Sequence, residues 1–339
     1  IKIKHFNDTS LFLTCYYGNK IKIVDTAYST SGNFEFSSNS PLPGGIYMAV
    51  TSSKSKLFEF IVNSDSNISF ETDTSAIIKN MKISGSNENK IFFDYINYNE
   101  ILYKTNKELS DKLQELQKNS KEYIDIVNQI DSINNASINY KLNITDNNKD
   151  LFVSKLLLSM QDVVVPDSIL TKNDSLLSYI FYKNHFWDNL NLNDTRFLRT
   201  PILSKKVDEY FQRMVAFHPD SVNKEIDLVL NNAKSSPEVL SFLFWKFIGD
   251  YQNPKYMGFD KVFVHLVENY AENYNYQIEN LTTSIKTKLI ERSQKIKPLL
   301  LGSPAPNLIL IDTSGGYTSF NFLTNKYIVL VFWDDDCGI

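Results

Sequence analysis

Hydrophobic residues recur along this chain with two different periods. Up to about residue 85 they come in short runs broken by turn residues. Ile1-Lys-Ile-Lys4 opens the series. Leu11-Phe-Leu-Thr-Cys-Tyr-Tyr17 is closed by Gly18-Asn19, Ile21-Lys-Ile-Val24 follows, and Phe34-Glu-Phe36 alternates apolar and polar after Ser31-Gly32-Asn33. Pro41-Leu-Pro-Gly-Gly45 is a turn that no helix could carry, because proline lacks an amide hydrogen and its ring collides with the preceding helical turn. Ile46–Val50 leaves that turn as another strand, and Leu57–Val62 and Ile68–Phe70 complete the set. Six or more short strands at close spacing, with no helical period between them, predict an antiparallel β-sandwich over residues 1–86.

From Glu88 the period lengthens. Leu109, Leu113 and Leu116 stand at i, i+4 and i+7, and Ile126, Ile130 and Ile133 repeat the spacing beyond Asn119-Ser120. One apolar stripe on each of two helices predicts an antiparallel pair. Asn147-Asn-Lys-Asp150 is placed to cap a third helix through Leu151–Met160, and Pro166, Pro201, Pro219 and Pro237 punctuate further helices. Pro219 and Pro237 fit first helical turns, where a missing amide hydrogen costs nothing. A charged helix is expected from about Tyr276 to Lys297. Residues 87–300 therefore form an all-α domain in this reading. Gly302–Pro306 ends it, and residues 301–339 return to strand character with Leu308-Ile-Leu-Ile311, a Ser314-Gly-Gly316 turn and the run Tyr327–Phe332. The predicted class is multidomain α+β.

Composition narrows the function classes. With 42% hydrophobic and 22% charged residues the chain is that of a folded protein, and 339 residues are more than one core usually serves. A net charge of -4 and the absence of a Lys/Arg cluster argue against nucleic acid as a partner. No apolar run approaches the roughly 18 to 20 residues that cross a bilayer. The chain opens directly in a strand, which leaves room for a leader peptide or lipid anchor ahead of Ile1. Two cysteines, Cys15 and Cys337, are too few for a disulfide framework.

Cys337 is the strongest candidate for chemistry. An apolar β-branched run feeds into Trp333, Asp334 and Asp336, then Cys337-Gly338. A cysteine at the carboxyl end of a strand, where a helix begins, meets unpaired amides that favour its thiolate. Cys15 lies mid-strand, where cysteine behaves as a small core hydrophobe. Asp334, Asp335 and Asp336 are consecutive and point in different directions, so they read as a solvated turn rather than a metal site, and their charge opposes formation of the Cys337 thiolate. His5, His185, His218 and His265 lack zinc-ligand spacing, and no metal or cofactor site is expected. Tyr179, Phe181, Tyr182, Phe186 and Trp187 read as core. Arg196 and Arg199 suit either an ion pair or a ligand contact, and the sequence leaves both open.

Gly302-Ser-Pro-Ala-Pro306, Leu308, Asp312, Gly315 or Gly316, Phe320, Val329–Trp333 and Cys337-Gly338 together resemble the TlpA-like thioredoxin family of the Gram-negative envelope. The resemblance implies that residues 301–339 begin a thioredoxin-like α/β domain, with Cys337 the attacking cysteine of a Cys-x-x-Cys motif. It implies a thiol–disulfide oxidoreductase in the intact protein, located in the periplasm or cell envelope. Its partners would be protein thiols and disulfides or a redox partner protein. Upstream, Asp25-Thr26, Gly32, Phe34, Phe36 and Pro41–Tyr47 resemble the β-domain that accompanies such proteins, and Asp194–Pro201, His218–Ser221 and Tyr256–Asp260 resemble the helical domain that links the two. The alternative is a non-enzymatic envelope binding or scaffold protein whose β and α domains hold a partner or ligand. The apolar face of residues 301–339 is expected to dock on the helices, since an isolated hairpin is marginal in water. The motif requires a second cysteine three residues after Cys337, so the 339-residue chain by itself is expected to reduce insulin no faster than a free cysteine does. An assay beside a chain extended through a complete thioredoxin domain tests this, and turnover by the shorter chain would overturn it.

Overall fold

In the computed structural model, which describes residues 1–339 apart from Thr30, Ser64, Ser66, Asn173, Tyr274, Phe332 and 335–339, seven strands among the described residues precede the first helix. They are β1 (Lys2–Lys4), β2 (Ser10–Tyr17), β3 (Lys20–Tyr28), β4 (Gly45–Thr51), β5 (Lys56–Val62), β6 (Ser69–Asp73) and β7 (Lys82–Ser84). Four of them form an antiparallel sheet in the order β3-β2-β4-β5, and three form a second sheet in the order β1-β6-β7. The pairing of Cys15 with Tyr47 and of Tyr47 with Phe60 sets one face of the larger sheet. From that face Phe58 and Phe60 reach Phe70 of the smaller sheet, with ring centroids 5.7 and 4.8 Å apart.

Two expectations about the strands need correction. The sheets are not wholly antiparallel, because β1 runs parallel to β6 with Ile3 opposite Thr72. The entire larger sheet lies between these strands in sequence, and a connection that long permits a parallel pair. Phe34–Phe36 forms no strand. Asn33 makes a single bridge to Lys2, and Phe34 is buried without a ladder partner. Its alternation marks a side chain driven into the core, while among the described residues its backbone exchanges hydrogen bonds with Ile1 alone, too short a pairing to count as a strand.

The helices are α1 (Asn87–Glu115), α2 (Lys121–Asn147), α3 (Phe152–Ser159), α4 (Asp167–Leu170), α5 (Ser175–His185), α6 (Ile202–Arg213), α7 (Pro219–Asn232), α8 (Pro237–Tyr251), α9 (Asp260–Leu266) and α10 (Thr283–Ile296), with a 3-10 turn at Thr195–Arg199. α1 and α2 pair antiparallel, as the two apolar stripes predict. Asn106 donates to Asn134 at 3.0 Å, Ser137 donates to Asn99 at 2.5 Å, and the Tyr98 and Tyr140 rings lie 4.2 Å apart. Ser86 and Ser120 cap the two helices by accepting from the amides of Asn89 and Tyr123.

The start of α3 differs from expectation. No side chain from 147–150 caps it. Instead the Phe152 amide donates to the buried carboxylate of Glu88, on the first turn of α1. A buried charge 64 residues away takes the place of a local cap, because α3 starts inside the core where its first amide cannot reach water. The charged helix also begins later than expected, at Thr283, where Thr282 accepts from the Ile285 amide.

The contacts group the chain into two units, Ile1–Phe217 with Lys224–Leu243, and His218–Asn223 with Phe244–Ile339. The architecture is multidomain α+β. In the second unit, Phe259, Val262, Phe263, Leu266 and Val267 are buried, and Arg292 of α10 lies over the Phe263 ring while donating to the Gln252 carbonyl oxygen. No helix of the described residues is long and apolar enough to cross a membrane.

The larger sheet ends at β5, and Asn89 stands where a further strand would. Its Oδ1 accepts from the Ile61 amide at 2.8 Å and its Nδ2 donates to the Ile61 carbonyl at 2.7 Å. The side chain is fully buried and also donates to Ser86 Oγ at 3.0 Å. Truncating it strands a donor and an acceptor away from water, at about 1–3 kcal/mol each. We expect Asn89→Ala to cost about 2–4 kcal/mol in chemical denaturation, and a loss below about 1 kcal/mol would mean that water or a shifted helix replaces the amide.

Candidate functional site

The predicted redox residues sit at the end of the second unit. Asp335, Asp336, Cys337 and Gly338 lie outside the described residues, and so does Phe332. Trp333 and Asp334 are described, and both are exposed. The hairpin ahead of them is formed. β8 (Ile309–Ile311) and β9 (Tyr317–Ser319) pair antiparallel with Leu310 opposite Thr318. Asp312 organises their turn: one carboxylate oxygen accepts from Ser314 Oγ at 2.6 Å and from the amides of Ser314 and Gly316 at 2.8 and 3.0 Å. These bonds, the Ser314 hydroxyl foremost, hold the Asp312 carboxyl below the usual aspartate range. Gly315 has a φ of 84°, which closes the turn.

Two expectations for this end are corrected. Residues 327–331 form no strand, since among the described residues no neighbouring strand lies alongside to take up their hydrogen bonds. The hairpin also does not bury its apolar side chains on helices. Ile309, Leu310, Ile311 and Tyr317 are exposed, as are Tyr327–Val331.

The remaining candidates resolve into structural roles. Cys15 is buried in β2, and burial pushes its thiol up, away from the thiolate that exchange chemistry needs. Tyr182, Phe186 and Trp187 pack with Tyr210, Met214 and Phe211 in one cluster, and Tyr179 donates to the Met214 carbonyl oxygen at 2.8 Å. Phe181 lies on the His185 ring at 4.2 Å. His185 and His5 meet Asp188 and Asp73 at 2.6 and 2.8 Å. Among the described residues no three His, Cys, Asp or Glu side chains converge to hold a metal ion.

Arg196 and Arg199, left open between ion pair and ligand contact, are both engaged. Arg196 meets Asp194 through Nε at 2.8 Å and Nη2 at 2.6 Å, a two-pronged pair that raises its already high basicity. It also reaches Asn63 beyond β5 and lies over the Phe152 ring. Arg199 meets Glu238 of α8 at 2.6 Å. The turn carrying them runs against Gly44-Gly45. A Cβ at Gly45 would fall 2.3 Å from that of Arg199, so the Pro-Gly-Gly sequence is a contact requirement as well as a turn.

A polar network escaped the sequence reading. Glu225 of α7, 6% exposed, accepts from Lys183 Nζ at 2.7 Å and from the Tyr210 hydroxyl at 2.6 Å. Burial, then the bond to Glu225, raises the Tyr210 hydroxyl far above the usual tyrosine range, so it stays a neutral donor. No spacing rule links positions 183, 210 and 225, and a lone glutamate in an amphipathic helix normally signals solvent. We expect Glu225→Ala, which leaves Lys183 charged and unpaired, to cost about 2–4 kcal/mol. Tyr210→Phe should cost about 0.5–1.5 kcal/mol. Urea denaturation measures both, and equal costs would show that the lysine's charge does not depend on Glu225.

Residues 117–298 match the family model of the domain of unknown function DUF5106, and residues 1–92 match that of the domain of unknown function DUF4369. No curated protein matches the chain. Among solved structures, a thioredoxin-like protein from Bacteroides caccae is similar at 16% identity and a TM-score of 0.36. That match covers 48% of this chain and spans 57% of the length of the other.

Proposed function

The chain belongs to the DUF5106 family, and from that premise we propose that the intact protein is a thiol–disulfide oxidoreductase of the cell envelope. The observation that carries this reading is the sequence end itself: Gly302-Ser-Pro-Ala-Pro306, the Asp312 turn, an apolar run, Trp333 and then Cys337-Gly338. We read the chain as three modules, a β-sandwich over 1–86, a helical domain over 87–300 and the start of a thioredoxin-like domain over 301–339. The first two would select partners or position the third.

In this mechanism the Cys337 thiolate attacks one sulfur of a substrate disulfide. An S–S bond to Cys337 forms as the substrate S–S bond breaks, and one substrate sulfur leaves as a thiolate that takes up a proton. A second cysteine, three residues on, loses its proton and attacks the Cys337 sulfur. The second substrate thiol leaves, two electrons have passed to the substrate, and the motif holds a disulfide. A non-enzymatic binding role is the alternative, and it requires no reaction at Cys337.

The acidic run Asp334–Asp336 disfavours the thiolate and so stabilises the disulfide relative to the dithiol, which makes the dithiol a better electron donor. In the intact protein, Cys337→Ser should reduce insulin turnover to background. Equilibration of the intact protein against glutathione should give a potential nearer about -270 mV than about -120 mV. Full turnover by the serine variant would overturn the enzymatic reading. A potential above about -180 mV would overturn control by the acidic run.

A further inference from the structure

In the first unit a groove of about 1000 Å³ opens between the two sheets. Phe34, Phe60 and Phe70 are buried along it, and Val24, Phe36 and Leu42 line it with part of their surfaces exposed. Its size matches sites that take peptides or small ligands. The charged side chains at the groove are of one sign. Asp25, Glu35 and Asp65 line it, and no Lys, Arg or His side chain does so among the described residues. The Ile1 amino group, also at the groove, donates to the Phe34 carbonyl oxygen at 2.7 Å and is attracted by the Glu35 carboxylate. Lys22, the nearest lysine of β3 in sequence, lies over the Tyr17 ring at 3.7 Å.

Backbone is also available beside the groove. β3 is the outer strand of its sheet, and among the described residues its far side has no ladder partner. The register shift at Leu13/Thr14 gives β3 an extra residue, Val24, so that a bulge falls where the strand meets the groove. An open strand edge, apolar pockets and carboxylates together suit an extended chain that presents alternating apolar and cationic side chains.

We propose that this groove binds an extended peptide segment in which lysine or arginine alternates with aromatic or aliphatic residues. Apolar side chains enter between the sheets beside Phe36 and Leu42, and the cations meet Asp25, Glu35 and Asp65. The site is independent of Cys337 and of the redox reading.

Calorimetric titration of the 339-residue protein with acetyl-Leu-Lys-Phe-Lys-Leu-amide tests the proposal. The matched glutamate peptide and phenethylamine serve as comparison probes. At about 50 mM salt the lysine peptide should bind at least about tenfold more tightly than either. The triple variant Asp25→Asn, Glu35→Gln, Asp65→Asn should lose at least about fivefold, and raising the salt to about 300 mM should have a similar effect. Val24→Arg, a change at an exposed wall residue, should weaken binding without touching the carboxylates. No binding, equal affinity for the glutamate peptide, equal affinity for phenethylamine, or no loss in both variants would each overturn the proposal.

Discussion

The amide of Asn89 is the interaction on which the first unit depends. A β-sheet that ends on a buried strand leaves peptide groups that neither water nor another strand can satisfy. At β5 a side chain from the first turn of α1 performs that role, accepting from and donating to Ile61. The same residue gives its own amide to the helix cap at Ser86. One asparagine thus ends the sheet and begins the helix. The direction of α1 is set by the position of β5, and the α1–α2 pair inherits it.

Glu88, one position earlier, extends the arrangement to the next layer. Its carboxylate holds the first amide of α3, and the ring of Phe152 at that helix start lies beneath Arg196. Arg196 in turn is fixed by Asp194 and reaches Asn63. A chain of charge-assisted contacts therefore runs from the β5 region through α1 and α3 to the 3-10 turn at Thr195–Arg199. That turn approaches β4 closely enough to require glycine at position 45. The turn also accepts from the far end of β2, since the Gly18 amide donates to the Leu198 carbonyl oxygen at 2.8 Å. Buried charges of this kind contribute little net stability, but breaking one partner leaves an uncompensated charge. They fix which arrangement is lowest in energy.

The C-terminal end contrasts with that density. Its hairpin is held by the local Asp312 turn and a short ladder, and its apolar side chains face solvent. Local hydrogen bonds suffice to form a turn, whereas strand character in 327–331 requires a neighbour that the described residues do not supply. The groove between the sheets of the first unit has the opposite character, being assembled from segments far apart in sequence.

What the sequence determined by itself is the local period. Alternation and turn residues placed β2 to β5, and the i, i+4, i+7 stripes placed the α1–α2 pair, because side-chain direction follows backbone geometry wherever one face is buried. The pattern around Cys337 was likewise a property of contiguous residues. Tertiary structure decided the rest. It made β1 parallel to β6, left Phe34 buried without a ladder, and gave α3 its cap from Glu88. It also joined Lys183, Tyr210 and Glu225. Each of these depends on which distant segment lies alongside, and desolvation selects that partner only after the chain has packed, since a buried polar group costs most when it is left unpaired.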